Sequence, residues 1–196
     1  MTATILHGLI IVIISLEFLV DQYLDYLNNK RLKDPVPDAL DDIYDEESYD
    51  KQQSYNQERS RFSNITSLFS FTVLIVFLLF DGFAYVDLLA RSFTDHSLLI
   101  SLSFFGLIFI ANDLISIPFD YYATFVIEEK YGFSNMTRKT FVADKLKSYV
   151  LSIIIGGGIL SLLILFYQEV QDDFWWYAWI LISVFSILMN MFYARL

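Results

Sequence analysis

The chain has 196 residues, 56% of them hydrophobic and 18% aromatic, with a mean hydropathy of +0.48. That is more apolar than an ordinary soluble domain. The absence of cysteine excludes disulfides and any thiolate-based zinc or redox site, and the net charge of −10 argues against a nucleic-acid partner.

A helix that spans a bilayer needs roughly 20 mostly apolar residues, and the chain contains about five such runs. The expectation is therefore an all-α integral membrane protein with about five transmembrane helices, joined by helical cytoplasmic loops in one membrane domain over 1–196. The lipid bilayer is its first partner. The first run, near 4–26, lacks a basic leader and a small-residue cleavage pattern. It reads as a retained helix rather than a signal peptide, and it carries Glu17 and Asp21 toward its end.

The loop that follows is mostly acidic, "KDPVPDALDDIYDEESYDKQQSYNQERSRF", punctuated by Pro35 and Pro37. With Leu40, Ile43, Tyr44 and Phe62 as its occasional apolar contacts, it reads as a solvated helical connector, or else as a docking or substrate-facing element. The second membrane helix is expected over about 65–80, "ITSLFSFTVLIVFLLF", with 65–89 as its longer extent, and the third near 97–117, ended or kinked at Pro118. Asp113 in "FIANDLISIP" is costly in lipid. It either faces water in the interior or sits at a helix end near the interface.

Between the third and fourth membrane helices lies "TFVIEEKYGFSNMT". The third helix is expected to run on through "FDYYATFVIEEKY". Gly132 fits the position just past its C-terminus, where a left-handed residue is needed and glycine has no Cβ penalty. Lys130 favours the negative end of the helix dipole, and Phe133 is placed to fold back on Ile127. Thr137 fits an N-cap for the next helix, with Ser134 as the other candidate start. Glu128 and Glu129 are adjacent and so point about 100° apart, which argues against an acid/base pair. The corner reads as a capped cytoplasmic helical hairpin or as one wall of a site completed elsewhere, with Tyr131 between its lysine and its glycine.

The fourth membrane helix is expected near 149–167. It holds Gly156, Gly157 and Gly158, tolerated best where another backbone packs close. The fifth, near 174–193, opens with the aromatic belt "FWWYAW". Under a five-span arrangement every basic residue except Arg91 falls on one side. The positive-inside rule then puts the two basic loops and the C-terminus in the cytoplasm and the N-terminus outside.

No catalytic constellation is present in the sequence. His7 and His96 lie in different segments and form no HExxH motif, and there is neither a P-loop nor a G-x-S-x-G elbow. The sequons at Asn64 and Asn135 fall in loops expected to be cytoplasmic and read as chance matches. Transport is disfavoured because the chain shows no matching halves with paired broken helices.

Taken in order, "VPDALDDIYDEESYDKQQSYNQERSRFS", "IPFDYYATFVIEEKYGFSNMTRKTFVADKLK" and "FWWYAWI" resemble the N-terminal membrane module of type I CAAX prenyl proteases. One departure is that the family usually has Asn directly after Gly-Phe, where this chain has Ser134. The resemblance implies seven membrane helices around a water-filled chamber and a C-terminal zinc protease domain carrying HExxH. It also implies cleavage of prenylated CAAX-type or other peptide substrates. Zinc belongs to the complete enzyme, with no cofactor, metal ligand or catalytic residue expected in this chain. Glu128, Glu129, Lys130, Tyr131, Gly132, Phe133, Thr137 and Asp113 are the expected contacts to substrate or protease domain. The expected location is a bacterial inner membrane or its equivalent. The rival expectation is a non-catalytic binding or scaffold protein derived from the same module.

Overall fold

A computed structural model describes residues 3–31 and 46–193. Expectations that rest on Pro35, Pro37, Leu40, Ile43, Tyr44 or Arg195 lie outside the described residues. The described chain is helical almost throughout, with no strand. Helix α1 spans Ala3–Arg31, α2 Glu46–Leu79, α3 Gly82–Arg91 and α4 Ser97–Tyr122. A π-helical stretch, Ala123–Glu128, joins α4 to α5, Glu129–Tyr131. Helix α6 spans Arg138–Leu151 and passes through a second π stretch, Ser152–Gly156, into α7, Gly157–Val170. A 3₁₀ turn, Gln171–Asp173, leads to α8, Phe174–Tyr193.

Four stretches are long and apolar enough to cross a membrane: Thr4–Lys30, Ser48–Leu79, Ser97–Tyr131 and Arg138–Met191. The last is two runs in one. At Gln171 the backbone leaves the helix (φ 46°, ψ −95°), and the chain doubles back so that Phe166 meets Tyr177 at 5.8 Å and Tyr167 meets Phe174 at 5.4 Å between ring centroids. The fourth and fifth apolar runs are thus an antiparallel hairpin.

The second apolar run is divided between two helices. It breaks after Leu79, where Asp81 takes a left-handed φ of 54°, a conformation Asp tolerates better than most residues. The ring of Phe77 lies so close to Gly82 that a Cβ there would come within 2.4 Å of it. The Asp-Gly pair, a common turn former, separates α2 from α3. Helix α2 also starts much earlier than the apolar run, and residues 46–64 form a polar extension of it. Pro118 does not end α4. The N–H it lacks removes one α-helical bond, and five residues later the helix widens into the π stretch. Such insertions are rare in helices and frequent at functional sites.

The chain forms two compact units, Met1–Tyr85 with Ile110–Thr137, and Val86–Phe109 with Arg138–Leu196. Among the described residues only Tyr55, Leu78, Ala90, Ile127 and Ala178 form a buried apolar core, while long runs of Leu, Ile, Phe and Trp face outward. Such a surface is unstable in water and suited to lipid. In the second unit, Gly156, Gly157 and Gly158 line an open apolar groove of about 900 Å³ with Phe105, Gly106 and Phe109. A Cβ on any of the three would meet nothing within 4 Å, so the close backbone approach expected at the triplet is not made by the described residues.

Candidate functional site

In the first unit α2 and the extension of α4 run antiparallel, held by a ladder of rings. Phe119 packs on Phe69 at 5.1 Å, and Tyr122 stacks on Phe62 at 4.8 Å. Further along, Tyr131 meets Tyr55 edge-on at 5.5 Å and Phe133 meets it at 4.6 Å. Tyr55, Phe62 and Phe69 are seven residues apart, so they share one face of α2. Ile127 sits within this contact and is 2% exposed.

The ladder delivers the corner to Glu58. Lys130 Nζ donates to Glu58 Oε2 at 2.6 Å, and the Tyr131 hydroxyl donates to the same oxygen at 2.8 Å. These groups lie beyond the apolar part of α2, which begins at Ile65, and beyond that of α4. The hydrogen bond from Lys130, followed by that from Tyr131, holds the Glu58 carboxyl below its ordinary value. The same oxygen raises the Lys130 ammonium and the Tyr131 phenol above theirs, since both hold their protons to donate to it.

Gly132 closes the helix as its position in "EKYGF" predicts. Its φ is 75° and its ψ 22°. Its N–H donates to the Glu129 carbonyl at 3.0 Å, and the Phe133 N–H donates to the Glu128 carbonyl at 2.9 Å. This pair of bonds is the Schellman motif. The ring partner of Phe133 is Tyr55, with Lys51 Nζ 5.8 Å from the Phe133 centroid. Ser134 Oγ accepts from the Met136 N–H at 3.2 Å and shapes the turn. Thr137 immediately precedes α6, which begins at Arg138.

The structure therefore brings Lys130, Tyr131, Gly132 and Phe133 together against α2. Glu128 and Glu129 serve the cap through their backbone carbonyls. Asp113 is half-buried on α4, 17 residues before Lys130, which at 1.5 Å per residue is about 25 Å along the helix. It belongs to a different level of the molecule. The residues missed by sequence reasoning are Glu58, Tyr55 and Lys51, all in a stretch whose simpler reading is a solvated connector. Their signal was the seven-residue aromatic spacing.

A second feature is a groove of about 780 Å³ between α1 and α2. Glu17, Asp21 and Asp25, spaced four apart and thus on one face of α1, line it with Ser67, Ser70 and Asn112. The rings of Phe18 and Phe71 stack beside it at 4.1 Å. Acids within a membrane segment are expensive unless they face water or a partner, and a polar groove supplies that setting for Glu17 and Asp21. Among the described residues, no group of three or more His, Cys, Asp or Glu is placed to hold a metal ion.

Apolar helices of membrane-crossing length, with a polar groove between them and a polar, ring-laddered extension at one end, define an all-α integral membrane protein. Residues 25–196 match the family described as CAAX prenyl protease N-terminal, five membrane helices, and the chain belongs to that family. It is 30% identical over 183 residues to CAAX prenyl protease 1 of Saccharomyces cerevisiae, covering 88% of this chain and 40% of that protein. It is 35% identical over 173 residues to the probable CAAX prenyl protease 1 of Schizosaccharomyces pombe, covering 81% and 36%. To the human CAAX prenyl protease 1 homolog it is 33% identical over 166 residues, covering 81% and 35%. Among solved structures it resembles S. mikatae Ste24p with a TM-score of 0.86 and 31% identity, covering 93% of this chain and 44% of that one. The chain thus spans less than half the length of the relatives it matches.

Proposed function

We propose that this chain acts as the membrane module of a CAAX prenyl protease-like zinc metalloendopeptidase. In this reading it builds part of the wall of a membrane chamber and the access path for a prenylated or other peptide. The observation that carries the reading is the family match over 25–196. The acid-lined groove along α1 supports it, because a chamber wall needs polar side chains at membrane depth. The capped corner at Glu128 to Thr137, docked on α2, supports it as the surface against which a protease domain would seat. The described residues do not fit a zinc site, so no step of peptide hydrolysis is assigned to them. The ends that carry the basic residues face the cytoplasm in this reading, with the N-terminus outside, in an inner membrane or its equivalent.

The test is complementation in two pieces. This chain is co-expressed with the remaining C-terminal part of the S. cerevisiae relative, in yeast lacking the endogenous protease, and processing of a farnesylated peptide is measured. Processing by the pair, and by neither piece alone, is the expected result. Failure of the pair, when the relative's own N-terminal part succeeds in the same split, would overturn the reading in favour of a non-catalytic scaffold. Orientation is checked separately with Ser134→Cys, which should react only with a reagent that reaches the cytoplasm.

A further inference from the structure

Where α1 and α2 leave their apolar parts, a recess of about 300 Å³ opens between them, lined by Tyr26, Asn29 and Lys30 of α1 and by Gln57 and Arg61 of α2. The spacings put each set on one helix face: Asn29 and Lys30 follow Tyr26 by three and four residues, and Arg61 follows Gln57 by four. The facing sides of the two helices thus converge on one space. We propose that this recess binds a phosphate group, supplied by the headgroup of an anionic phospholipid. The proposal does not depend on the protease reading.

The chemistry of the lining is one-sided. Tyr26, Asn29, Lys30 and Arg61 bring hydrogen-bond donors to the recess, a lysine and an arginine among them, and none of the lining side chains is a carboxylate. That is unusual here, because the chain is strongly acidic and the neighbouring face of α1 carries Glu17, Asp21 and Asp25 into the other groove. Among the described residues, neither Lys30 nor Arg61 makes a direct ion pair like that of Lys130 with Glu58, although the Arg61 charge is near enough to Glu58 to help lower its carboxyl. A phosphate offers only acceptors, and a guanidinium and an ammonium are the groups that recognise it best.

The level of the recess identifies the source. Tyr26 ends the first apolar run and Ile65 starts the second, so Lys30 and Arg61 each lie one turn outside the hydrocarbon, at headgroup depth. Basic pockets between membrane helices at this depth are suited to anionic headgroups. Zwitterionic lipid fits less well, because its ammonium would meet the two cations.

The experiment uses the full chain reconstituted in nanodiscs of phosphatidylcholine with 10–20 mole percent phosphatidic acid (roughly a cell-like anionic fraction). Native mass spectrometry after release into detergent counts retained lipids. The protein should retain phosphatidic acid over phosphatidylcholine, and Lys30→Gln with Arg61→Gln should lower that retention at least about tenfold, as expected for losing two charge-assisted contacts. A control pair, Lys139→Gln with Lys147→Gln, removes the same charge elsewhere and should leave retention unchanged. Equal loss in both pairs, or no loss in the first, overturns the proposal. A parallel ³¹P titration with inorganic phosphate separates the sources. Binding of free phosphate that depends on Lys30 and Arg61, without lipid retention, overturns the lipid assignment. The single variant Arg61→Lys, which keeps the charge, should retain most of the lipid and guards against a folding defect.

Discussion

Lys130 and Glu58 are 72 residues apart in sequence, and their side chains meet at 2.6 Å. The contact ties the end of the α4 extension to the polar part of α2. Its energy is limited by exposure, because the Lys130 side chain is 57% and the Glu58 side chain 32% accessible, and solvent screens such pairs strongly.

The first prediction concerns salt and charge exchange. Lys130→Glu should lower the thermal unfolding midpoint of the purified chain at low salt, and the exchange Glu58→Lys with Lys130→Glu should recover most of the loss. Both effects should fade by roughly 0.5 M salt, where the Debye length has shrunk to a few ångströms. Differential scanning fluorimetry in detergent measures the parent and both variants. A double exchange no better than the single one would rule the pair out as a coupled contact.

The second prediction is the pH window of the same cluster. The Glu58 carboxyl is held below its ordinary 4.5, so the stability it adds is present above that value and is lost as pH falls through its lower folded-state value. The Lys130 ammonium is raised above 10.5 and the Tyr131 phenol above 10.0. Their contributions are complete below those values and are lost only as pH rises through the folded-state ones. The cluster therefore adds no pH dependence to stability between about pH 6 and 9. Glu58→Gln should remove part of the acid limb below that range and leave the neutral plateau flat. A midpoint shift centred near neutrality that disappears with Glu58→Gln would contradict this assignment.

Much of this region was legible in the residues. The end of α5 follows from "EKYGF", because a left-handed C′ position has one natural occupant and the lysine beside it suits the helix dipole. The break after Leu79 was less legible. It depends on an Asp-Gly pair inside an apolar run whose composition favours continuing. The role of residues 46–64 was obscured by charge. Tyr55, Phe62 and Phe69 carry the face of a packed helix, but they stand among so many polar residues that the solvated reading of the connector was the simpler one. The glycine triplet shows the opposite failure, since small residues imply a close neighbour and the described chain provides none.

The third prediction separates backbone from packing at Gly132. A Cβ there would have only Lys51 Nζ nearby, at 3.8 Å, so crowding is not the obstacle. The cost of Gly132→Ala is that of holding an L-residue at φ 75°, about 1 kcal/mol. For a chain of this size that corresponds to a midpoint lower by about 2–4 °C. Gly132→Asn should cost clearly less, since Asn tolerates the left-handed region. Equal losses for the two variants would point to packing instead.

The fourth prediction tests the docked corner at Tyr55, which is 7% exposed and touches both Tyr131 and Phe133. Truncation to Ala should cost about 3 kcal/mol, as for other buried aromatics. Much of the loss should be local, because the corner opens without unfolding the membrane helices. Hydrogen exchange should therefore speed up at residues 129–133 by at least about tenfold, the factor that 1.4 kcal/mol gives. Tyr55→Phe keeps the ring contacts and loses only the bond from Arg59 to the hydroxyl, so its exchange pattern should stay close to that of the parent. Faster exchange spread evenly over α1 and α2 would show that Tyr55 supports the whole unit rather than the corner.

The last prediction turns on the open groove beside Gly157 and Gly158. Both lie in α7, and an added methyl would meet no atom within 4 Å. Glycine inside a helix costs about 0.5–1 kcal/mol relative to alanine through backbone entropy. Gly157→Ala and Gly158→Ala should each stabilise the isolated chain, raising the midpoint by roughly 1–3 °C. The sign is the informative part. In the isolated chain a lower midpoint would mean that a backbone from another copy already lies along the stripe, and cross-linking across a concentration series would reveal that copy. If the same substitutions stabilise this chain alone but destabilise it when co-expressed with the C-terminal part of the yeast relative, the stripe is a seat for that part. The small residues would then be explained by contacts made outside these 196 residues.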